Sequence, residues 1–191
     1  MVKQIPIAIE QAILAKRQNF REMNDKARKE TDGKFGFVTR PDKLGKFVRF
    51  WNVEDDNELE DFLFEDLLAA AFDSPDLDLM PKGYGIILTV LEFEQHCQFE
   101  GWYTISNRSD SMPKIISCYQ QIGLEEEAMA LLAVWKVYSD VSSDDVENFN
   151  ELLSKAYRDI PNSTPDIEDR IPHILNFVRK NAALFYEQGT L

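Results

Sequence analysis

The sequence predicts an all-α fold: one bundle-like domain over residues 1–191, built from about six to eight helices. Three observations predict it. Apolar residues recur at three- and four-residue spacing through most of the chain, which gathers them on one helical face. Gly, Pro and Ser/Thr/Asp/Asn clusters punctuate those runs where helix caps belong. The connections between the runs are short, as neighbouring helices of a bundle require.

The basic N-terminal helix, residues 1–33, comes first. Pro6 suits a first turn, and Ile9, Ile13, Phe20, Met23 and Ala27 predict a narrow apolar stripe. Lys16, Arg17, Arg21, Lys26, Arg28 and Lys29 occupy its other faces, interleaved with Glu10, Glu22, Asp25 and Glu30. That interleaving argues against a nucleic-acid arm. Thr31-Asp32-Gly33 ends the helix. Residues 34–53 are rich in Phe, Val and Trp, divided by Pro41 and Gly45. They predict either a small β element or a loop with a short helix from Asp42.

Residues 51–81 hold 11 carboxylates and no Lys or Arg. Leu59, Phe62, Leu63, Leu67 and Ala70 write a helix core, capped by Asp55-Asp56-Asn57. Glu58, Asp61 and Glu65 then share an outer face. Asp73-Ser74-Pro75-Asp76 reads as a turn.

Residues 83–138 form the organising core. Ile86, Val90, Phe93 and Cys97 predict one apolar face, with Glu92, Glu94 and Gln95 off it. Gly101 stops that helix before Trp102 and Tyr103, because glycine has no Cβ to clash in a left-handed stop. Ile115, Ile116, Tyr119 and Ile122 write the next helix, which ends at Gly123. Glu125, Glu126 and Glu127 suit the positive N-terminus of a third, whose stripe is Ala128, Leu131, Leu132, Trp135 and Tyr138. Further on, Ser142 with Asp144 and Asp145 predicts a helix start, and Val146, Phe149, Leu152, Leu153, Ala156 and Tyr157 its stripe. Thr164-Pro165-Asp166 predicts another start. Ile171, Ile174, Leu175, Val178, Ala182 and Phe185 follow at helical spacing, with Pro172 set to kink or restart that helix.

Composition bounds the function. The chain is 44% hydrophobic and 12% aromatic, which fits a globular core and not a disordered acidic tail. No apolar run is long enough for a bilayer, and the start lacks the pattern of a signal peptide, so a cytoplasmic protein is expected. The net charge is −13. Residues 1–50 hold 12 Lys+Arg and 6 Asp+Glu, a net of +6; residues 51–191 hold 9 and 28, a net of −19. Such a balance disfavours direct binding to nucleic acid or an anionic membrane. It favours a basic protein partner, or pairing of the basic arm with an acidic surface on a second copy.

The chemistry-bearing residues are few. No phosphate loop, dinucleotide fingerprint, nucleophile elbow or zinc-protease motif is present. Glu92 and His96 stand four apart without a second copy, so no metal or cofactor is expected. Cys97 and Cys118 read as reduced thiols. Adjacent acids at helix starts are more often solvated faces than catalytic pairs, and no enzyme is predicted. The acidic run admits a sharper reading. Carboxylates at i, i+3 and i+7 repeat every ~5–6 Å along a helix, against one phosphate per ~3.4 Å along a DNA strand. Glu54, Asp55, Asp56, Glu58, Asp61 and Glu65 are the first candidates for contact with a basic partner, and Glu125, Glu126 and Glu127 the next.

Residues 83–138 also resemble a bacterial all-helical family of unknown function named after a DNA-mimic protein. The resemblance rests on Glu92 or Glu94, on the turn Glu100-Gly101-Trp102, and on Gln121-Ile122-Gly123 through Ala128. Phe99 and Glu100 stand where the family has Asn and a second Gly. The resemblance implies a non-enzymatic acidic protein that occupies the basic groove of a DNA-binding protein. An inhibitor or immunity-type module for a basic partner, and an enzyme whose site is assembled from scattered residues, are the alternatives.

Overall fold

The computed structural model describes residues 3–34, 36, 39–71, 80–140 and 148–186. Among them the regular structure is all-α, with nine α-helices and no strand. None of these helices is long and apolar enough to cross a membrane. The chain gathers into two compact units where the sequence predicts one domain. Unit 1 is Met1–Gly85 with Val178–Leu191, and unit 2 is Ile86–Phe177.

Unit 1 opens with α1 (Ile7–Glu30), entered through Pro6. Its buried line is Ile9, Ile13, Arg17 and Asn24. The predicted stripe therefore holds for two positions and then drifts: Phe20 is 45% exposed and Met23 69%. The β alternative for residues 34–53 is corrected. Gly45–Asn52 forms two 3₁₀ turns joined across a kink at Arg49 (φ −135°, ψ 55°), while Phe35, Phe37 and Val38 lie outside the described residues. The spacing explains the outcome. Leu44, Phe47, Phe50 and Val53 recur every third residue, the period of a 3₁₀ turn. The amides of Phe47 and Val53 donate to the carbonyls of Leu44 and Phe50. A strand would have put Arg49 on the same face as Phe47 and Trp51.

Next come α2 (Asp56–Asp61), a π-helical turn over Phe62–Leu67, and α3 (Leu68–Ala71). Asp55 caps α2 as predicted, accepting from the Glu58 amide at 3.0 Å. The π turn brings Phe62, Leu63, Asp66 and Leu67 inward together. The predicted turn at 73–76 lies outside the described residues. The core of the unit is aromatic: Phe50 lies 5.3 Å from Phe62, 6.2 Å from Tyr84 and 5.2 Å from Phe185 between ring centroids. Edge and tilted contacts of this kind suit the ring quadrupole.

The next helix, α4 (Lys82–Glu100), runs on into unit 2. Gly101 stops it at φ +56°. Then come α5 (Tyr103–Asn107), a 3₁₀ turn at Ser109–Ser111, α6 (Met112–Gln121) and α7 (Glu125–Asp140). Gly123 closes α6 at φ +85°. Its amide bonds the Gln120 carbonyl and the Leu124 amide bonds that of Tyr119, both at 3.0 Å, the paired bonds of a glycine helix stop. The helix α8 spans Phe149–Arg158; its predicted start at Ser142–Val146 lies outside the described residues. The last helix, α9 (Ile167–Lys180), runs through Pro172 without a restart. It begins two residues after the predicted N1 proline, with the Asp166 carbonyl taking the first amides.

Candidate functional site

The predicted contact residues fall in both units. In unit 1, Glu58, Asp61 and Glu65 are exposed along one outer face, as their spacing requires. They are not left bare. Lys46 pairs with Glu58, and Arg40 with Glu65 and, at 3.6 Å, with Asp61. Arg179 pairs with Asp56 at 2.6 Å and donates to the carbonyls of Val53 and Glu54. Asp55 is committed to its cap. The missed residue of this run is Asp66. It is buried at 4% exposure and accepts from Nε and Nη2 of Arg17 at 2.7 Å and from Nη1 of Arg40 at 2.8 Å. Cations of the basic segment thus meet the acidic segment within one chain.

In unit 2 the three glutamates at the start of α7 separate. Glu125 is exposed. Glu126 accepts from the backbone amide and hydroxyl of Ser163, both at 2.7 Å, and those bonds hold its carboxyl below the usual range. Glu127, expected as a solvated dipole partner, is buried. So is Glu94, expected off the apolar face of α4. These two carboxylates build a buried polar site within unit 2.

Five elements converge there. Glu94 comes from α4, Tyr119 from α6, Glu127 from α7, Tyr157 from α8 and Arg170 from α9. Arg170 grips Glu94 with Nε at 2.6 Å and Nη2 at 2.9 Å, a bidentate pairing that suits the planar guanidinium. The Tyr119 hydroxyl donates to the same carboxylate at 2.6 Å. Nη1 of Arg170 donates to the carbonyls of Thr164 and Pro165 and lies 3.4 Å from Oε2 of Glu127. That Oε2 also accepts from Tyr157 and from Asn162 at 2.6 Å. The loop before α9 is therefore tied down by the same groups that fill the site.

A cavity of about 210 Å³ opens beside this network. Phe93, Trp102, Tyr119 and Tyr157 supply aromatic wall, and Glu94, Glu127, Cys97 and Arg170 supply polar wall. The Trp102 and Tyr157 rings stand 5.3 Å apart, tilted by 57°, and Trp102 is fixed by a 2.7 Å bond to Ser154. Burial pushes the Glu127 carboxyl up, against the opposing pull of Arg170. It drives the hydroxyls of Tyr119 and Tyr157 above their ordinary range. It pushes the Cys97 thiol to about 12, with help from the Glu94 charge, so this thiol is a poor nucleophile. Arg170 loses by burial and gains more from Glu94, and its charge is secure.

His96 lies outside this network. Its ring meets Glu100 at 3.2 Å and Arg108 at 2.6 Å, and Arg108 pairs with Glu92 at 2.8 Å. Among the described residues no group of three His, Cys, Asp or Glu is placed to hold a metal. A larger groove of about 550 Å³ in unit 1 is walled by Lys46 and Arg49 and by Glu54, Asp55 and Glu58, exposed groups of both signs.

Nothing matches this chain among family descriptions, curated proteins or solved structures.

Proposed function

We propose that this chain is a non-enzymatic acidic interaction protein, cytoplasmic, whose partner is a basic protein. The partition of charge carries the reading. By sequence, unit 2 holds 6 Lys+Arg and 16 Asp+Glu, a net of −10, while unit 1 holds 15 and 18, a net of −3. Unit 2 therefore presents the field that a basic surface would feel, and such fields steer encounter and set salt dependence.

The same partition moves the contact face. Asp56, Glu58, Asp61 and Glu65 are paired within unit 1, and a carboxylate beside its own cation offers less to a partner. Glu125 on α7 and Asp166, Glu168 and Asp169 at the start of α9 are exposed, and no described Lys or Arg pairs with them. The Glu126–Ser163 bonds bring these two helix starts together. In the DNA-mimic form, suggested by the resemblance of residues 83–138, this edge of unit 2 sits in the groove that DNA would fill.

The test is capture from native lysate at low salt, eluted by a rising salt gradient. Two triple variants run beside the wild type: Glu125→Gln with Glu168→Gln and Asp169→Asn, and Glu58→Gln with Asp61→Asn and Glu65→Gln. A captured basic protein elutes at lower salt from the unit 2 variant, and close to wild type from the unit 1 variant. Duplex DNA displaces it if the partner is a DNA-binding protein. Elution of the unit 2 variant at the wild-type salt overturns the reading.

A further inference from the structure

The cavity in unit 2 joins a nearly buried carboxylate to an aromatic wall. Arg170 gives Nε–H and one N–H of Nη2 to Glu94, and Nη1 to two carbonyls. Tyr119 donates to Glu94, and Tyr157 and Asn162 donate to Oε2 of Glu127. The donors described for Glu127 meet its Oε2, and this carboxylate is only 4% exposed and lines the cavity. An anion would meet a net charge of the wrong sign. The charges of Glu94, Glu127 and Arg170 sum to one net negative. A nearly buried net charge is costly, and a cationic donor placed against the Glu127 carboxylate offsets it.

Size and wall chemistry narrow the class. At about 210 Å³ the cavity is below the roughly 300–1,000 Å³ of sites for drug-sized ligands. The rings of Trp102 and Tyr157 in its wall suit a cation, which the ring quadrupole attracts. A guanidinium binds best to two carboxylate oxygens in a plane, and Glu127 has only one to give. An ammonium is a compact point charge that needs one.

We infer that this cavity is a lysine pocket: a lysine side chain of the basic partner enters it and sets its ammonium against Oε1 of Glu127, beside the rings of Trp102 and Tyr157 that line the same wall. This deepens the proposed function and rests on it for the source of the lysine. The cavity's preference for an amine can be tested without the partner.

The probe is Nα-acetyl-lysine N-methylamide, titrated into the full chain and followed by the indole N–H resonance of Trp102. The norleucine analogue, which keeps the four carbons and lacks the ammonium, is the control. The lysine probe shifts the resonance saturably, and the norleucine probe binds about tenfold more weakly or worse, as loss of a charged hydrogen bond requires. Glu127→Gln, checked for its helical spectrum and melting, loses the lysine probe by a similar factor. A pH series on the wild type covers the case in which that variant fails to fold. Glu127 faces Glu94, Tyr119, Tyr157, Cys97 and Arg170; the tyrosines, the thiol and the guanidinium keep their protons across pH 5–8. Its own carboxyl, raised by burial, gains a proton as pH falls and then cannot receive an ammonium, so affinity drops toward acid. Equal binding of the norleucine probe, affinity unchanged in Glu127→Gln, or no shift at tens of millimolar overturns the pocket. If amine binding fails while salt-dependent capture succeeds, the pocket alone falls; if capture fails while the amine binds, the partner reading falls.

Discussion

Asp66 is the one buried carboxylate among the described acids of residues 51–81. Two guanidinium groups hold it. Its removal leaves Arg17 buried without its counter-charge, a condition that costs about 3–5 kcal/mol. Asp66→Ala is therefore expected to lower the unfolding free energy, read from urea denaturation, by that order. The pair itself is worth less than its breakage, since apolar replacements often match a buried ion pair. Arg17→Met with Asp66→Leu is expected to retain more stability than Asp66→Ala alone, and a double variant at or below the single would refute this account. The signal for both residues was present in the sequence. Arg17 continues the four-residue spacing of Ile9 and Ile13, and Asp66 stands among Phe62, Leu63 and Leu67. A charge at an apolar position asks for a partner, but the sequence cannot say which residue answers from 49 positions away. Glu94 and Glu127 were hidden differently. In α4 Ile86, Ile87, Leu88, Val90, Leu91 and Phe93 are all buried, so no narrow stripe marks an inside for Glu94. Glu127 follows two genuine surface acids, and adjacency made the three look alike.

At the scale of elements, caps and stops were the legible features. Asp55, Gly101 and Gly123 act where their chemistry predicts, because each does so through its own backbone neighbourhood. Elements that depend on tertiary packing were less legible. The three-residue period of Leu44, Phe47, Phe50 and Val53 is as visible as any stripe, yet their high strand propensity masks it. Two glycines in α4 separate local from tertiary demands. A Cβ on Gly83 would stand 2.7 Å from the Leu184 carbonyl oxygen and 2.7 Å from a carbon of the Phe185 ring. On Gly85 it would meet nothing within 4 Å. Alanine is the better helix former by about 1 kcal/mol. Gly85→Ala is therefore expected to raise the unfolding free energy, read from urea denaturation, by about 0.5–1 kcal/mol. Gly83→Ala is expected to lower it by about 1–3 kcal/mol, as overpacking does. The same sign for both would mean that the close approach of residues 184–185 is not a constraint on α4.

Charge at the scale of the whole molecule was legible as a sum and misleading as a map. The strongest acidic run in the sequence lies in the unit with a net of −3, because the basic segment and Arg179 join it there. The more dilute acids of residues 86–177 leave that unit at −10. Self-repulsion destabilises a compact state that is far from neutral, and salt relieves it. The Debye length falls from roughly 30 Å at 0.01 M to roughly 3 Å at 1 M. In unit 1 the same salt screens Lys46–Glu58, Arg40–Glu65 and Arg179–Asp56, partly exposed pairs worth about 0–1 kcal/mol each. The two units are thus expected to answer sodium chloride differently. Amide exchange reports local stability, and the buried residues Val134 and Leu131 in unit 2 and Ile13 and Leu63 in unit 1 supply the reporters. Protection in unit 2 is expected to rise across that salt range while protection in unit 1 stays level or falls. Any general effect of salt on apolar burial moves both units together, so the difference between them is the measurement. Equal changes in the two would mean that net charge does not set the stability of unit 2, and would remove the physical basis for assigning the basic partner to it.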